Sequence, residues 1–339
     1  MTVAIDHTPD RVSIQAAPTA SENLVTLLGG IWLTAGLFID GYAHANIINT
    51  ETEDFFTPWH GIFYSGFAFS AAWIGYLMYR RRSAQPIRTW IPTGYGWAVV
   101  GIAAFAIGGL GDMTWHTIFG VEVGVDALLS PTHLLLLYGL IMVLAAPLQA
   151  VLRSGGSVWV ATASVTMLAL LAAFFTSFSR PLGRSWALTI QFDPRSGNDL
   201  WVSWMVGGVL LTTAVMTVAA LYLIQRWERL PFGTITSVWA VPAVLEAYAL
   251  SSTRLSAGLG GLAGGLVADA LLRSPANSER LRVGRALTVG ILITWAVWTA
   301  AHHVFDDGVV VPAEVWSGQV VLAGFMAAAI VMLAIPSSS

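Results

Sequence analysis

Long runs of apolar residues are the feature that most constrains this chain. They recur in blocks of about 18–25 residues, the length that an α-helix needs to cross about 30 Å of hydrocarbon. Hydrophobic residues make up 56% of the 339 residues and charged residues only 10%, whereas a soluble domain carries about 25% charged residues. The sequence therefore predicts an all-α, polytopic integral membrane protein embedded in a lipid bilayer.

The apolar blocks predict about ten transmembrane helices, with prolines such as Pro86 and Pro231 in the intervening loops. The predicted helices cover residues 24–47, 59–79, 95–118, 131–152, 157–178, 200–225, 232–251, 255–272, 285–304 and 314–335. The eighth helix carries glycines spaced for close helix packing, namely Gly260, Gly261, Gly264 and Gly265.

The distribution of arginine predicts the orientation of the chain in the membrane. All sixteen basic residues are arginine. With the N-terminus in the cytoplasm, twelve of them fall in inner segments, and only Arg180, Arg184, Arg195 and Arg254 fall outside. The positive-inside rule therefore predicts a multi-pass protein of the cell membrane with both termini in the cytoplasm.

Composition also excludes several classes of function. The formal net charge of −3 predicts no nucleic-acid partner. The chain has no cysteine, which excludes disulfides, thiolate metal sites and thiol catalysis. Any bound metal would need ligands from His, Asp, Glu, Met or backbone oxygen.

An internal repeat gathers histidines and carboxylates at the predicted outer ends of the first four helices. The first copy contains Asp40-x3-His44, an acidic loop and Thr57-Pro58-Trp59-His60, and the second contains Asp112-x3-His116, an acidic loop and Ser130-Pro131-Thr132-His133. The paired histidines of the two copies are 16 and 17 residues apart. We interpret the pattern as a helical hairpin duplicated in tandem.

The spacing within the repeat predicts a metal site. Residues at i and i+4 share a helix face, so Asp40 faces the same way as His44, and Asp112 the same way as His116. The Thr-Pro and Ser-Pro elements are typical helix starts, with the hydroxyl residue as N-cap and proline at the first helical position. His60 and His133 then lie in the first turn, where the helix dipole favours a neutral, metal-binding imidazole. We leave open whether the two Asp residues bind the metal directly or instead accept a hydrogen bond from a metal-bound histidine.

Other residues of the repeat and the ninth helix have weaker roles in this prediction. The loop acids of the repeat are interpreted as solvated, and Glu53 and Asp126, each seven residues before the second histidine of its copy, are the best candidates for an exception. Tyr64 and Tyr138 are interpreted as members of the interfacial aromatic belt. The ninth helix ends in a His-His element, of which we expect only His302 to face the metal site, since adjacent helical residues point about 100° apart.

The Asp-x3-His element followed by a distant histidine resembles the metal sites of membrane-bound copper monooxygenases. The resemblance concerns ligand types over these few residues and extends no further along the chain. The expected ligands are His44, His60, His116, His133, Asp40, Asp112 and His302. Such a sulfur-free set suits iron or copper, with zinc or manganese as alternatives and haem as a weaker one.

The sequence therefore predicts three regions and a leading function. Residues 1–23 lack the features of a cleavable signal peptide and are expected to form a disordered cytoplasmic tail, with the first helix as a signal anchor. Residues 24–153 are expected to form the duplicated four-helix metal-binding half, and residues 154–339 a six-helix half that contributes the His-His element.

The leading function is a membrane metalloprotein with a metal site at the extracytoplasmic face, favoured as a redox enzyme for a small or lipophilic substrate. The alternatives are a metal transporter or metal-delivery protein, a haem-binding electron-transfer subunit, and a scaffold subunit whose histidines sense pH. Other membrane subunits or an electron donor are conceivable partners of such a protein.

The predicted orientation is testable with reporter fusions. A reporter fused after Gly156 should be found in the cytoplasm, and one fused after Gly308 should be found outside, because an odd number of predicted spans separates the two positions. A protease-protection or phosphatase assay distinguishes these locations. The opposite pattern would place all the repeat histidines on the cytoplasmic side.

Overall fold

The computed structural model describes residues 16–47, 55–120, 124–179, 181–182, 188–189, 191, 195, 199–250 and 255–336. All regular structure in these residues is helical. The α-helices are α1 (Ala20–Asn46), α2 (Pro58–Arg80), α3 (Gly96–Phe119), α4 (Val125–Leu129), α5 (Pro131–Leu144), α6 (Ala146–Ser154), α7 (Val158–Phe175), α8 (Asp199–Ile224), α9 (Thr234–Leu250), α10 (Leu255–Leu271), α11 (Glu279–Phe305) and α12 (Ala313–Ala334). A short 3₁₀ helix, Ile87–Thr89, lies between α2 and α3.

Eight helical segments in the described residues are long and apolar enough to cross a membrane, which agrees with a polytopic membrane protein. They are α1, α2, α3, α5 continued by α6, α7, α8, α11 and α12. Helices α9 and α10 coincide with predicted spans, but each has 17 residues. At 1.5 Å per residue each is about 26 Å long, slightly less than the hydrocarbon core. The total of ten spans stays a prediction.

Two helices begin earlier than the apolar pattern predicted because polar residues cap them. The hydroxyl of Thr19 accepts a hydrogen bond from the backbone of Glu22, and the Glu22 carboxylate accepts one from the backbone of Thr19. This capping box starts α1 at Ala20, within the segment that we expected to be disordered. The hydroxyl of Ser278 accepts a hydrogen bond from the backbone of Leu281, and α11 begins at Glu279, six residues before the predicted start. Residues 1–15 of the predicted tail lie outside the described residues.

The fourth predicted helix is divided into two in the structure. Helix α5 ends at Leu144 and α6 begins at Ala146, with Pro147 in the first turn of α6. Proline has no N–H and cannot continue the hydrogen-bond pattern of α5. Because α6 follows directly, the two helices together still have the length of one span.

Helices α1 and α2 form an antiparallel hairpin that closes at two glycines. A Cβ atom on Gly36 would lie 2.7 Å from the Cα atom of Phe63, and one on Gly66 would lie 2.9 Å from the Cα atom of Leu33. Larger residues at these positions would push the helices apart. The glycines therefore let the backbones of α1 and α2 approach closely.

Helices α3 and α5 form a second hairpin with matching contacts. Gly108 faces Leu136, and Gly139 faces Phe105. Each of these residues lies 72 or 73 positions after its counterpart in the first hairpin, which is the same offset that separates the two copies of the histidine motif. The repeat pattern thus includes the helix contacts as well as the polar residues.

A buried polar network ties the N-terminal half together at the opposite end from the histidines. A side-chain oxygen of Glu22 in α1 lies 2.6 Å from the guanidinium of Arg81, just after α2. The hydroxyl of Tyr95, at the start of α3, donates to Asn23 at 2.9 Å and lies 2.8 Å from the hydroxyl of Thr26. Burial raises the pKa of Tyr95 to about 12, so its hydroxyl stays protonated and can donate.

In the C-terminal half, α10 packs between α9 and α11. Gly264 faces Gly290 of α11, and Gly265 faces Thr236 of α9. The glycines of α10 thus serve the close packing that their spacing indicated.

Asp269 of α10 provides the N-terminal cap of α9. Its fully buried carboxylate accepts backbone hydrogen bonds from Gly233 at 3.0 Å, Ile235 at 3.2 Å and Thr236 at 2.9 Å. The Thr236 hydroxyl donates a further bond at 2.7 Å. Four donors stabilise the buried charge, and the acid satisfies backbone groups that a helix start leaves unpaired. The role of Asp269 is therefore structural.

Replacing Asp269 by alanine should destabilise the protein strongly. The change leaves three backbone N–H groups without this acceptor, and the buried one, at Ile235, alone costs about 1–3 kcal/mol. We expect a clear fall in the thermal unfolding temperature of the detergent-solubilised protein. Glu228→Ala removes an exposed acid and is the control, with little expected change. Equal stability of the two variants would contradict the capping role.

Candidate metal centre

The six repeat residues predicted to bind metal lie at one end of the helix bundle. They form two groups, the Asp40 triad of Asp40, His44 and His60, and the Asp112 triad of Asp112, His116 and His133. In each triad the Asp and first His come from the last two turns of one helix, α1 or α3. The second His comes from the first turn of the partner helix, α2 or α5. One potential ligand atom from each residue lies within 4.8 Å of the other two.

Within the Asp40 triad, the carboxylate stands between two imidazoles. Its Oδ2 lies 3.8 Å from Nε2 of His44, and its Oδ1 lies 3.5 Å from Nε2 of His60. The two imidazole centroids are 5.5 Å apart. The two oxygens of the carboxylate thus face different imidazoles of the triad.

The Asp112 triad repeats this arrangement with one oxygen. Oδ1 of Asp112 lies 3.5 Å from Nε2 of His116 and 3.2 Å from Nε2 of His133. The centroids of the two imidazoles are 5.8 Å apart. The two triads are neighbours, since the rings of His60 and His116 have centroids 6.0 Å apart.

The predicted helix starts are confirmed, and they fix where the second histidines stand. The Thr57 hydroxyl accepts a hydrogen bond from the backbone of His60 at 3.2 Å, and the Ser130 hydroxyl accepts one from the backbone of His133 at 3.5 Å. In both helices a proline occupies the first turn. The cap thus fixes the position of each histidine in the first turn of its helix.

Backbone carbonyls determine which ring nitrogen is protonated in two of the histidines. Nδ1 of His60 lies 2.6 Å from the carbonyl oxygen of Phe55, and Nδ1 of His116 lies 3.2 Å from that of Gly120. A carbonyl only accepts, so each Nδ1 must carry the hydrogen. In the neutral imidazole the lone pair is then on Nε2, which faces the carboxylate of its triad.

A lone pair that faces a carboxylate oxygen leaves no donor between the two atoms, and either a further proton or a metal ion can fill that place. The separations of 3.5 Å for His60 and His116 exceed the length of about 2.7–2.9 Å of a charge-assisted hydrogen bond. Two ligands bound at about 2.1 Å to one tetrahedral ion lie about 3.4 Å apart. Ring nitrogens held by carbonyl acceptors are also typical of metal-binding histidines. The two separations of 3.5 Å are therefore compatible with a metal ion between the paired atoms.

Both triads line one cavity of about 420 Å³. Its remaining wall is mainly apolar and includes Leu37, Phe63, Leu136, Leu140, Phe174 and Phe175. The ring of Phe55 packs against the two triads, with its centroid 4.9 Å from that of His60 and 6.0 Å from that of His116. A molecule in this cavity would contact both the polar side chains of the triads and the apolar side chains of the wall.

Tyr64 has a role at the site that the sequence did not reveal. Its hydroxyl donates to Oδ2 of Asp112 at 3.0 Å and so links the first hairpin to the second. The interpretation of Tyr64 as an interfacial aromatic residue is therefore wrong. Tyr138, which we had matched to Tyr64, is 45% exposed. The two tyrosines are 74 residues apart rather than 73, and one extra residue rotates a helical side chain by about 100°.

The structure does not bring His302 to the two triads. His302 is fully buried in α11, and its Nδ1 lies 3.0 Å from Oδ2 of Asp306, which also accepts a hydrogen bond from Ser256 at 2.6 Å. His303 is exposed, so only one of the adjacent histidines faces inwards. His302 does not line the cavity of the triads because α11 packs within the C-terminal half, away from the two hairpins.

The acidic loops contribute little that can be assigned to the site. Asp126 is exposed at the start of α4 and does not line the cavity. Glu53, its counterpart in the first copy, lies outside the described residues.

Comparisons with protein families, curated proteins and solved structures give no match to this chain. The assignment of the site thus depends on its own geometry.

Proposed function

We propose that the protein is a membrane metalloprotein in which the Asp40 and Asp112 triads each bind a transition-metal ion at the extracytoplasmic face. The observation that carries this proposal is the pair of carboxylates that face imidazole lone pairs at 3.5 Å within a buried, shared cavity. Nitrogen and oxygen ligands without sulfur suit iron, copper(II), manganese or zinc. Iron and copper are favoured because the proposed activity is redox chemistry.

A redox enzyme for a small or lipophilic substrate fits the surroundings of the triads. Three protein ligands leave positions open on a transition metal, as catalytic sites require. The apolar wall of the cavity provides a surface for hydrocarbon next to those positions. The alternative of metal transport lacks support, because the described residues offer no third group of three ligands along a path through the helices.

A haem group fits this site less well. The space in front of His60 and His133 is taken by the carboxylates of their own triads, with Nε2 to oxygen distances of 3.5 and 3.2 Å. A porphyrin would need to occupy that space. The proposal therefore concerns metal ions.

The two triads also support a tandem duplication of the helical hairpin. Their Asp and His residues, their helix caps and their glycine contacts recur at an offset of 72 or 73 residues. We infer that one hairpin with a single triad gave rise to both. The duplication would account for two neighbouring metal sites in one cavity.

Metal analysis of variants tests the proposed function. His60→Ala and His133→Ala should each lose the ion of one triad, and the double variant should lose both, because loss of a metal-binding residue lowers affinity by about 100-fold or more. His303→Ala removes an exposed histidine and is the matched control. The measurement is metal content by mass spectrometry together with an absorption spectrum. Full metal content in the double variant would refute the proposal, and a Soret band would favour haem instead.

The two helix caps provide a second, matched test. Ser130→Ala and Thr57→Ala should both lower the free energy of unfolding by about 1 kcal/mol, since both remove an N-cap. Only Ser130→Ala also removes the oxygen that lies 2.6 Å from Nδ1 of His133, so only this variant should bind metal more weakly, by about 10-fold or more. Chelator competition measures the affinity. Equal losses of affinity in the two variants would contradict the proposed role of Ser130.

A further inference from the structure

The two triads differ in the hydrogen bonds that hold their carboxylates. Asp112 accepts one from the Tyr64 hydroxyl at 3.0 Å and a longer one from the Thr132 hydroxyl at 3.5 Å. In the described part of the chain, no donor reaches the buried Oδ1 of Asp40. Hydroxyl donors thus orient the Asp112 carboxylate, whereas Oδ1 of Asp40 has no hydrogen-bond donor among the described residues.

Among the described residues, the imidazoles of the Asp112 triad also have more hydrogen-bond partners than those of the Asp40 triad. Both Nδ1 atoms of the Asp112 triad have partners, Gly120 for His116 and Ser130 for His133. In the Asp40 triad only His60 has a partner for Nδ1, and the buried Nδ1 of His44 has none among the described residues. Among the described residues, every ring of the Asp112 triad therefore has a partner at Nδ1, and one of the two rings of the Asp40 triad does.

The exposure of corresponding side chains also differs between the two triads. Two of the three pairs are more buried in the Asp112 triad, and the third pair is more buried in the Asp40 triad. The side chains of Asp112 and His116 are each 3% exposed, compared with 14% for Asp40 and 21% for His44. The remaining histidines show the opposite order, with 21% for His133 and 7% for His60. The carboxylate and the histidine on the same helix are thus nearly inaccessible to solvent in the Asp112 triad and partly exposed in the Asp40 triad.

The sequence shows why the donors serve only one copy. Thr132 corresponds to Trp59 of the first copy, and Tyr64 corresponds to Leu137 of the second, each at an offset of 73 residues. Neither Trp59 nor Leu137 carries a hydroxyl. The copies have therefore kept the same ligands but differ in the residues that orient them.

We propose that the two triads are inequivalent metal sites, in which the Asp112 triad binds its ion more tightly than the Asp40 triad and Tyr64 is the main positioning residue. This inference rests on the proposed function, because it requires that both triads bind metal. Ligands already held in place lose less freedom when an ion binds, and partners that orient ligands typically change affinity by about 10–100-fold. The Asp112 triad is then the resident site, and the more open Asp40 triad is the site at which ions, small ligands or substrate exchange.

Titration of the metal-free, full-length protein in detergent with Zn²⁺ tests this inference. Competition with a chromogenic chelator should show two binding steps whose dissociation constants differ by about 10-fold or more. Asp112→Asn should abolish the tighter step and Asp40→Asn the weaker one. A single step that both variants abolish, or two steps of equal affinity, would overturn the inference while leaving metal binding intact.

Tyr64→Phe isolates the positioning role. This variant keeps the ring packed against Phe55, Phe63 and Phe105 but removes the donor to Asp112. It should weaken the tighter step by about 10–100-fold, leave the weaker step unchanged and retain a normal unfolding temperature. Tyr138→Phe removes the hydroxyl of the exposed tyrosine and is the matched control, with no effect on either step.

The outcomes separate the inference from the proposed function. An unchanged tighter step in Tyr64→Phe, or equal weakening of both steps, would overturn the positioning role of Tyr64. No Zn²⁺ binding by the wild-type protein would instead refute the proposed function itself, and the inference with it.

Discussion

A carboxylate that faces an imidazole lone pair inside a helix bundle is the constraint on which the rest of this structure depends. Two polar atoms that both accept hydrogen bonds repel each other, and burial removes the water that would otherwise separate them. The backbone carbonyls of Phe55 and Gly120 hold the ring protons on the far side of His60 and His116. The lone pairs therefore cannot turn into donors without a second proton. A cation bound to each triad, as proposed above, would resolve this conflict, and so would a second proton on each imidazole.

Local chemistry explains why much of the site could be predicted from the sequence. A hydroxyl residue followed by proline and, two residues later, histidine specifies a helix start within four residues, and both starts occur as predicted. The i, i+4 spacing of Asp40 and His44 requires only that the segment be helical. The repeat then indicated that the six residues form one set, because each Asp and His of the first copy has a counterpart in the second. These inferences needed no knowledge of how distant helices pack.

What the sequence did not reveal depends on contacts between helices. The bond from Tyr64 to Asp112 joins two hairpins, and the alignment of the copies hid it by matching Tyr64 to Tyr138, one residue away from the equivalent position. His302 shares the Asp and His pattern of the repeat, but its helix packs in the other half of the protein. Polar caps also extended α1 and α11 beyond their apolar segments. The sequence indicated that Tyr64 and His302 are polar residues near the ends of helices, but only the tertiary structure determines which residues they contact.

Helix α1 separates two environments, which bears on the kind of molecule that could reach the metal centre. One face carries Asp40 and His44 into the cavity of the triads, while Phe38 on another face lines an apolar groove of about 660 Å³ between α1, α7 and α9. Phe38 packs edge-on against Phe174, with centroids 5.3 Å apart, and Phe174 lines the metal cavity. These two aromatic rings thus lie between the apolar groove and the cavity of the triads. An apolar molecule dissolved in the bilayer would meet favourable surface up to this pair. This groove would give a lipophilic substrate of the proposed enzyme an apolar surface close to the triads.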